Sequence, residues 1–372
     1  MKKIISLLLV LVLAFSLVGC GKDTEKKPEP NQQNQEQNTD QAALKVGVFY
    51  YNFADIYIST VRNELDKMLT DLGVEYKNFD AAANQATQTD AIKTAVASGT
   101  NLLLVNIVET SSEDAAKEIV NIAKEANIPV VFFNREVSDD AVKSYEKAAF
   151  VGTDAPEAGH LQGELIADFL KANYEKVDLN GDGQISYVMF KGQESNQEAE
   201  ARTKFAVEDS DKLLQEAGKK PLVYFDPNAT TKYLVDKDGN WSATAANDYM
   251  SNILSHFSEQ ANNMVEIVIA NNDDMALGAL SALQNAGYNK EGGKYIPIFG
   301  VDATETAQQK IQAGEMTGTV KQDNVGMAST LTALVKNVKE GKNLMDDTSN
   351  FNVDEGVAKI RVPYQKWTKD NH

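Results

Sequence analysis

Leu102-Leu-Leu-Val-Asn-Ile107, apolar but for Asn106, and Pro129-Val-Val-Phe-Phe133 are two short apolar runs, and the stretch between them, 112–126, repeats its apolar residues with helical spacing behind Ser112 and Glu113. Short runs of this kind are strands buried on both faces, and a helix between two of them makes a parallel crossover unit. Ser112 and the acidic residues behind it read as a capped helix start. The same alternation extends both ways: strands over 45–51, 75–79 and 148–152, and helices over 55–72 and 85–98. It then restarts with helices over 155–173, 197–217, 243–258, 273–286 and 304–313, and strands over 185–191, 222–225, 265–270, 296–301 and 318–321. A further helix over 324–340 and a strand over 357–363 end the pattern, and 226–241 reads as an irregular excursion. The expected fold is α/β, with two doubly wound parallel-sheet lobes and a cleft between them.

The chain has 372 residues, 42% hydrophobic and 24% charged, with a formal net charge of −18. A surface of that sign repels nucleic acid and anionic lipid. The single cysteine, Cys20, excludes an internal disulfide and cysteine-based zinc sites. Lys2 and Lys3, an apolar run over 4–18 and Leu17-Val-Gly-Cys20 resemble a bacterial lipoprotein signal whose Cys20 is acylated. Residues 1–20 are thus expected to be a signal peptide with its lipobox, and the polar stretch 21–43 a tether. The expected location is outside the cytoplasm, with the chain held to the membrane by lipid.

Asp178-Leu-Asn-Gly-Asp-Gly-Gln-Ile-Ser186 carries the first half of a calcium loop. Asp178, Asn180 and Asp182 occupy positions one, three and five, Gly183 the sharp turn, Gln184 the carbonyl position and Ser186 position nine. Met189 stands where the bidentate glutamate belongs, so a carboxylate must come from elsewhere. The same residues also make a polar turn without any metal. A loop of this kind gives calcium a structural role.

Ligands of open parallel sheets bind beyond the carboxyl ends of strands. The residues there are Asp55, Tyr57, Asn134, Arg135, Asn196, Glu198, Arg202, Asn271, Asn272, Asp273, Asp302, Gln322 and Asp323, with Trp241 in the excursion. Planar hydrogen-bonding groups and flat rings suit a neutral ligand with many hydroxyls. Each has a plainer reading. Asp273 and Asp302 are placed to cap helices, and Arg202 to pair with Glu198 one turn before it. His160, His256 and His372 stand apart from one another, and no nucleophile elbow, phosphate loop or dinucleotide fingerprint follows the first strand. The sequence therefore points to binding rather than catalysis. Two rival classes are a sugar-responsive regulator, which would need a basic DNA-binding head where the expected signal and tether stand, and a sugar-processing enzyme using Asp55 and Glu198 as acid and base.

Val46-Gly-Val48, Val151-Gly-Thr-Asp154, the 178–186 loop, Ala199-Glu-Ala-Arg-Thr203, Val268-Ile-Ala-Asn-Asn-Asp273, Phe299-Gly-Val-Asp302 and Arg361-Val-Pro-Tyr364 resemble, in order, the periplasmic galactose/glucose-binding proteins of bacterial ABC transporters. The resemblance implies a monomer that is not an enzyme. It implies lobes of 44–152 with 324–361 and of 154–322 with 363–372, joined by three crossovers near Thr153, Asp323 and Val362. These close on a monosaccharide, glucose or galactose, and present it to a membrane permease; a chemoreceptor is the alternative partner. It assigns sugar contacts to Asp55, Tyr57, Asn134, Asn196, Glu198, Arg202, Trp241, Asn272, Asp302 and Gln322, with Tyr57 and Trp241 on either side of the ring. It assigns calcium to Asp178, Asn180, Asp182, Gln184, Ser186 and, as the missing carboxylate, Glu266. Tyr57, Asn196, Glu198 and Gln322 depart from the family's residues, which bears on which hexose is held, and Ser186 departs in the metal loop, where a shorter side chain needs a water to reach calcium.

Overall fold

The computed structural model describes residues 43–371. The expected signal and tether, with Cys20, lie outside the described residues, as does His372. The chain runs β1 (Lys45–Tyr50), α1 (Ile56–Leu72), β2 (Glu75–Asp80), α2 (Gln85–Ala97), β3 (Leu102–Val105), α3 (Glu113–Glu125), β4 (Val130–Phe133), α4 (Asp139–Lys143) and β5 (Ala148–Gly152). It continues through α5 (Ala155–Val177), β6 (Ser186–Lys191), α6 (Gln197–Glu216), β7 (Val223–Tyr224), β8 (Leu234–Val235), α7 (Ala243–His256), β9 (Ile267–Ala270), α8 (Asp273–Asn285), β10 (Ile298–Asp302), α9 (Glu305–Gln312) and β11 (Gly318–Lys321). It ends with α10 (Asn324–Lys339), β12 (Asn352–Val353), β13 (Lys359–Arg361) and β14 (Gln365–Thr368).

Two α/β lobes result. The first sheet has the order β12-β13-β5-β4-β3-β1-β2; the second has β14-β11-β10-β9-β6-β7, with β8 beside β6. Both are parallel except at one edge, where β12 pairs antiparallel with β13 and β14 with β11. The apolar runs are explained by burial on both faces. Val131 and Phe133 enter the core under α1 and α10, while Val130 and Phe132 enter the core under α2 and α3.

The chain crosses between sheets three times: at Thr153 after β5, at Gln322 and Asp323 after β11, and at 362–364 between β13 and β14. The α10 residues Leu331, Leu334 and Val335 share a core with Val61, Leu65 and Leu69 of α1. The predicted strand over 357–363 is in fact β13 alone, and the chain beyond it becomes β14 of the other sheet. Four short elements were not read from the sequence, namely α4, β8, β12 and β14. Five residues carry no helical period, and two-residue or edge strands carry no apolar run. Ser112 stands at the start of α3 without a capping bond from its side chain. Glu113 and Asp114 instead put negative charge on the helix's positive end.

Candidate functional site

Helix starts and strand ends from both lobes meet around one small cavity of about 40 Å³. All ten residues assigned to a ligand in the sequence line it, together with Tyr51, Ile58 and Arg135. The sequence missed Tyr51 and Ile58, because an apolar strand end and an apolar helix position look like core.

Capping builds much of this wall. Asp55, Asn196 and Asn272 cap α1, α6 and α8 by accepting from Ile58, Ala199 and Met275 N–H. The amide nitrogens of the two asparagines reach on to other parts of the site, Asn196 donating to Thr110 Oγ1 at 3.4 Å and Asn272 to Trp241 O at 3.1 Å. Asp55 also accepts from the Tyr51 hydroxyl. Asp273 does not cap α8; its carboxylate is buried behind the cavity, accepting from Thr319 Oγ1 at 2.6 Å and Thr304 N–H at 2.7 Å. Thr304 caps α9, so Asp302 is free to end β10 inside the cavity. Asn106, unread in the sequence, lies behind Asn134 and donates to its Oδ1 at 3.1 Å. Asn134, Trp241 and Asp302 have φ of 63°, 57° and 124°, left-handed values that cost non-glycine residues free energy and recur where a side chain must be aimed.

The excursion over 226–241 exists to deliver Trp241. β8 hydrogen-bonds to β6, and buried Asp236 then gathers Asp238 N–H, Ser242 N–H and Ser242 Oγ at 2.8–3.0 Å. That turn throws the indole across Gly192, where a Cβ would stand 2.1 Å from the ring. Only glycine fits there. Tyr57 enters from α1 of the opposite lobe.

Arg202 does not pair with Glu198. It is buried and donates to Asn271 O at 2.8 Å, Gln322 Oε1 at 3.2 Å and the Tyr364 hydroxyl at 2.8 Å. Glu198 reaches across the cleft and accepts from Glu136 N–H at 3.0 Å. Arg135 crosses the other way, to Gln193 Oε1 at 2.7 Å. Desolvation drives the Asp302 carboxyl well above the ordinary range against the pull of Arg202, and it raises Glu198 too. Five polar atoms on the lining residues are buried with no hydrogen-bond partner: Arg135 Nε, Glu198 Oε2, Arg202 Nε, Trp241 Nε1 and Gln322 Nε2. Such atoms are costly unless something else satisfies them.

The 178–186 loop lies at the other end of β6. Gly181 and Gly183 turn it with φ of 71° and 73°. Asp178 accepts from Gly181 and Gly183 N–H, Asn180 from Asp182 N–H, and Asp182 from Gln184 N–H, at 2.7–2.9 Å. Buried Glu266 arrives from the start of β9 and accepts from Leu179 and Ser186 N–H at 2.7 Å. Ser186 Oγ donates to Met264 O at 3.0 Å. Among the described residues no three His, Cys, Asp or Glu side chains converge as a metal cluster. A cation here would also draw on Asn180, Ser186 and the Gln184 carbonyl. Oxygen donors alone, with lone pairs left on each carboxylate, suit a hard cation. His160 is elsewhere, 2.5 Å from Asp209 on the packed faces of α5 and α6.

The model of the family described as "Periplasmic binding protein domain" matches residues 46–343. The chain belongs to the periplasmic binding protein family. As a member, it is a solute-binding protein and not an enzyme, which removes the acid/base reading of Asp55 and Glu198. The D-galactose/methyl-galactoside binding periplasmic protein MglB of Haemophilus influenzae is 38% identical over 88% of this chain and 90% of its own length. A putative rhizopine-binding protein of Rhizobium meliloti is 31% identical over 88% of this chain and 91% of its own. A solved solute-binding protein of an ABC transporter from Bacillus halodurans, with bound myo-inositol, has the same fold, with a TM-score of 0.67 at 22% identity over 90% of this chain and 97% of that one. Among the described residues no helix is long and apolar enough to cross a membrane.

Proposed function

We propose that this binding protein holds a hexose, glucose or galactose, in the cavity between its lobes and hands it to an ABC importer. The observation that carries this is the set of five partnerless buried polar atoms on residues lining one small cavity. A ring of hydroxyls is both donor and acceptor, and so answers indole N–H, guanidinium N–H, amide N–H and carboxylate oxygen together. Tyr57 and Trp241, one from each lobe, offer flat faces to the sugar's C–H surfaces. The relative from Haemophilus supports the hexose reading through its named ligand. Cys20 anchors the chain to the outer face of the membrane by acylation, and the chain acts there as a monomer. Calcium occupies the 178–186 loop as a structural ion, held by Asp178, Asn180, Asp182, the Gln184 carbonyl, Ser186 and Glu266. The lobes comprise 44–152 with 324–361, and 154–322 with 363–372.

Calorimetric titration of the purified protein against glucose, galactose, xylose and ribose tests this. One-to-one binding with a hexose tightest is the expected result. Binding of none of the four would overturn the reading, and tighter binding of a pentose would overturn its hexose part.

A further inference from the structure

Tyr364 does not line the cavity, and nothing in the capping or strand-end pattern marks it, yet it stands where the three crossovers meet a ligand-facing group. It lies at the end of the third crossover and is buried. Its hydroxyl accepts from Arg202 at 2.8 Å and from Thr153 Oγ1, on the first crossover, at 2.9 Å. The same guanidinium donates to Gln322, at the second crossover. Arg202 is therefore tied to all three crossovers, by one direct bond to each of two and through Tyr364 to the other. Nη2 alone makes both of these bonds and Nη1 donates to Asn271 O, while Nε has no partner among the protein groups.

Hinge closure in a two-lobed protein is absorbed by φ and ψ changes in a few crossover residues. A change at Thr153 or at 362–364 moves the partners of the Tyr364 hydroxyl and so moves the guanidinium. We infer that Tyr364 is a positioning residue: its hydroxyl fixes the Arg202 fork in its ligand-facing pose only when the crossovers are in the closed arrangement. Ligand affinity and lobe closure are thereby coupled through one oxygen atom. The inference rests on the sugar-binding reading of the cavity and deepens it.

The test uses Tyr364→Phe, which removes one oxygen and keeps the ring, alongside Thr153→Val, which removes the second partner from the crossover side. Sugar titrations of the wild type, both single variants and the double variant are compared, with small-angle scattering of each in saturating sugar. Losing a hydrogen bond to a charged group weakens binding about tenfold, so Tyr364→Phe is expected to bind about tenfold more weakly and to need more sugar to reach the compact form. Thr153→Val is expected to cost less, and the double variant no more than Tyr364→Phe, because Thr153 acts through the same oxygen. Unchanged affinity in Tyr364→Phe, or losses that multiply in the double variant, overturn the inference. A wild type that binds no sugar overturns the reading of the cavity itself, and this coupling falls with it.

Discussion

The cleft and the 178–186 loop are both rich in oxygen-bearing side chains, but they handle their hydrogen bonds in opposite ways. In the loop, the carboxylates of Asp178 and Asp182 and the amide oxygen of Asn180 accept from the loop's own backbone, and Glu266 does the same from the side. In the cleft, groups on Glu198, Arg202, Trp241 and Gln322 are buried and unanswered. A self-satisfied loop keeps its shape by itself, and a cation there would be an addition. An unsatisfied cleft is incomplete until a ligand supplies the other half of its bonds. The cleft should thus govern affinity and the loop stability, with little crossover between them.

The largest effect is expected at Arg202. Truncating a buried, hydrogen-bonded charge costs about 2–5 kcal/mol, so calorimetry on Arg202→Ala should show sugar binding weakened at least thirtyfold, about 1.4 kcal/mol being a factor of ten. A loss smaller than tenfold would mean that the guanidinium braces the crossovers without meeting the ligand. Next comes calcium. An ion at a hundredfold excess over its dissociation constant stabilises the fold by about 2.7 kcal/mol, or roughly 5 °C or more at about 2–4 °C per kcal/mol. Chelation should lower the melting temperature by that order in the wild type, have no effect in Asp178→Ala, and leave sugar affinity unchanged. An equal response of both proteins to chelator would show that the loop holds no ion. Trp241→Ala follows, with sugar binding about tenfold weaker, the loss of about 1.4 kcal/mol, and a melting temperature that shifts less than its affinity does. Unchanged affinity would place the indole outside the ligand's reach.

The alternation of apolar runs and amphipathic stretches was enough to read both sheets, because strands buried on both faces leave an unmistakable trace. Elements whose identity depends on a distant partner left none. β14 is a strand only because β11 offers it an edge, and its exposed, polar Gln365-Lys-Trp-Thr368 has no period of its own. The cleft was legible where a polar residue followed a strand, as with Asn134 or Asp302. It was illegible at Tyr51 and Ile58, which read as core, and at Tyr364 and Asn106, whose roles arise from what they touch. The helix pairing of Arg202 with Glu198 was the natural local reading. Burial overrode it, since each group found a partner from far along the chain.

The smallest expected effect is a slope with pH, and it separates the two regions by charge. Asp302 and Glu266 are both buried carboxyls raised by desolvation, but Glu266 is drawn back by Ser186, Leu179 and Asn180 N–H groups, while Asp302 is drawn back by the Arg202 charge. A carboxyl whose folded value lies above its unfolded one, about 3.9 for aspartate, contributes stability that is complete below the unfolded value. That contribution is lost as pH rises through the folded value. Ligand-free wild type should therefore lose stability relative to Asp302→Asn as pH climbs out of the ordinary carboxylate range, a difference readable in paired thermal melts from pH 4 to 8. Saturating sugar should flatten the difference, because hydroxyls donating to the ionised carboxylate favour its charged form. A difference already flat without sugar would mean that water reaches Asp302 freely, and the contrast between an unanswered cleft and a self-satisfied loop would then fail at its central carboxylate.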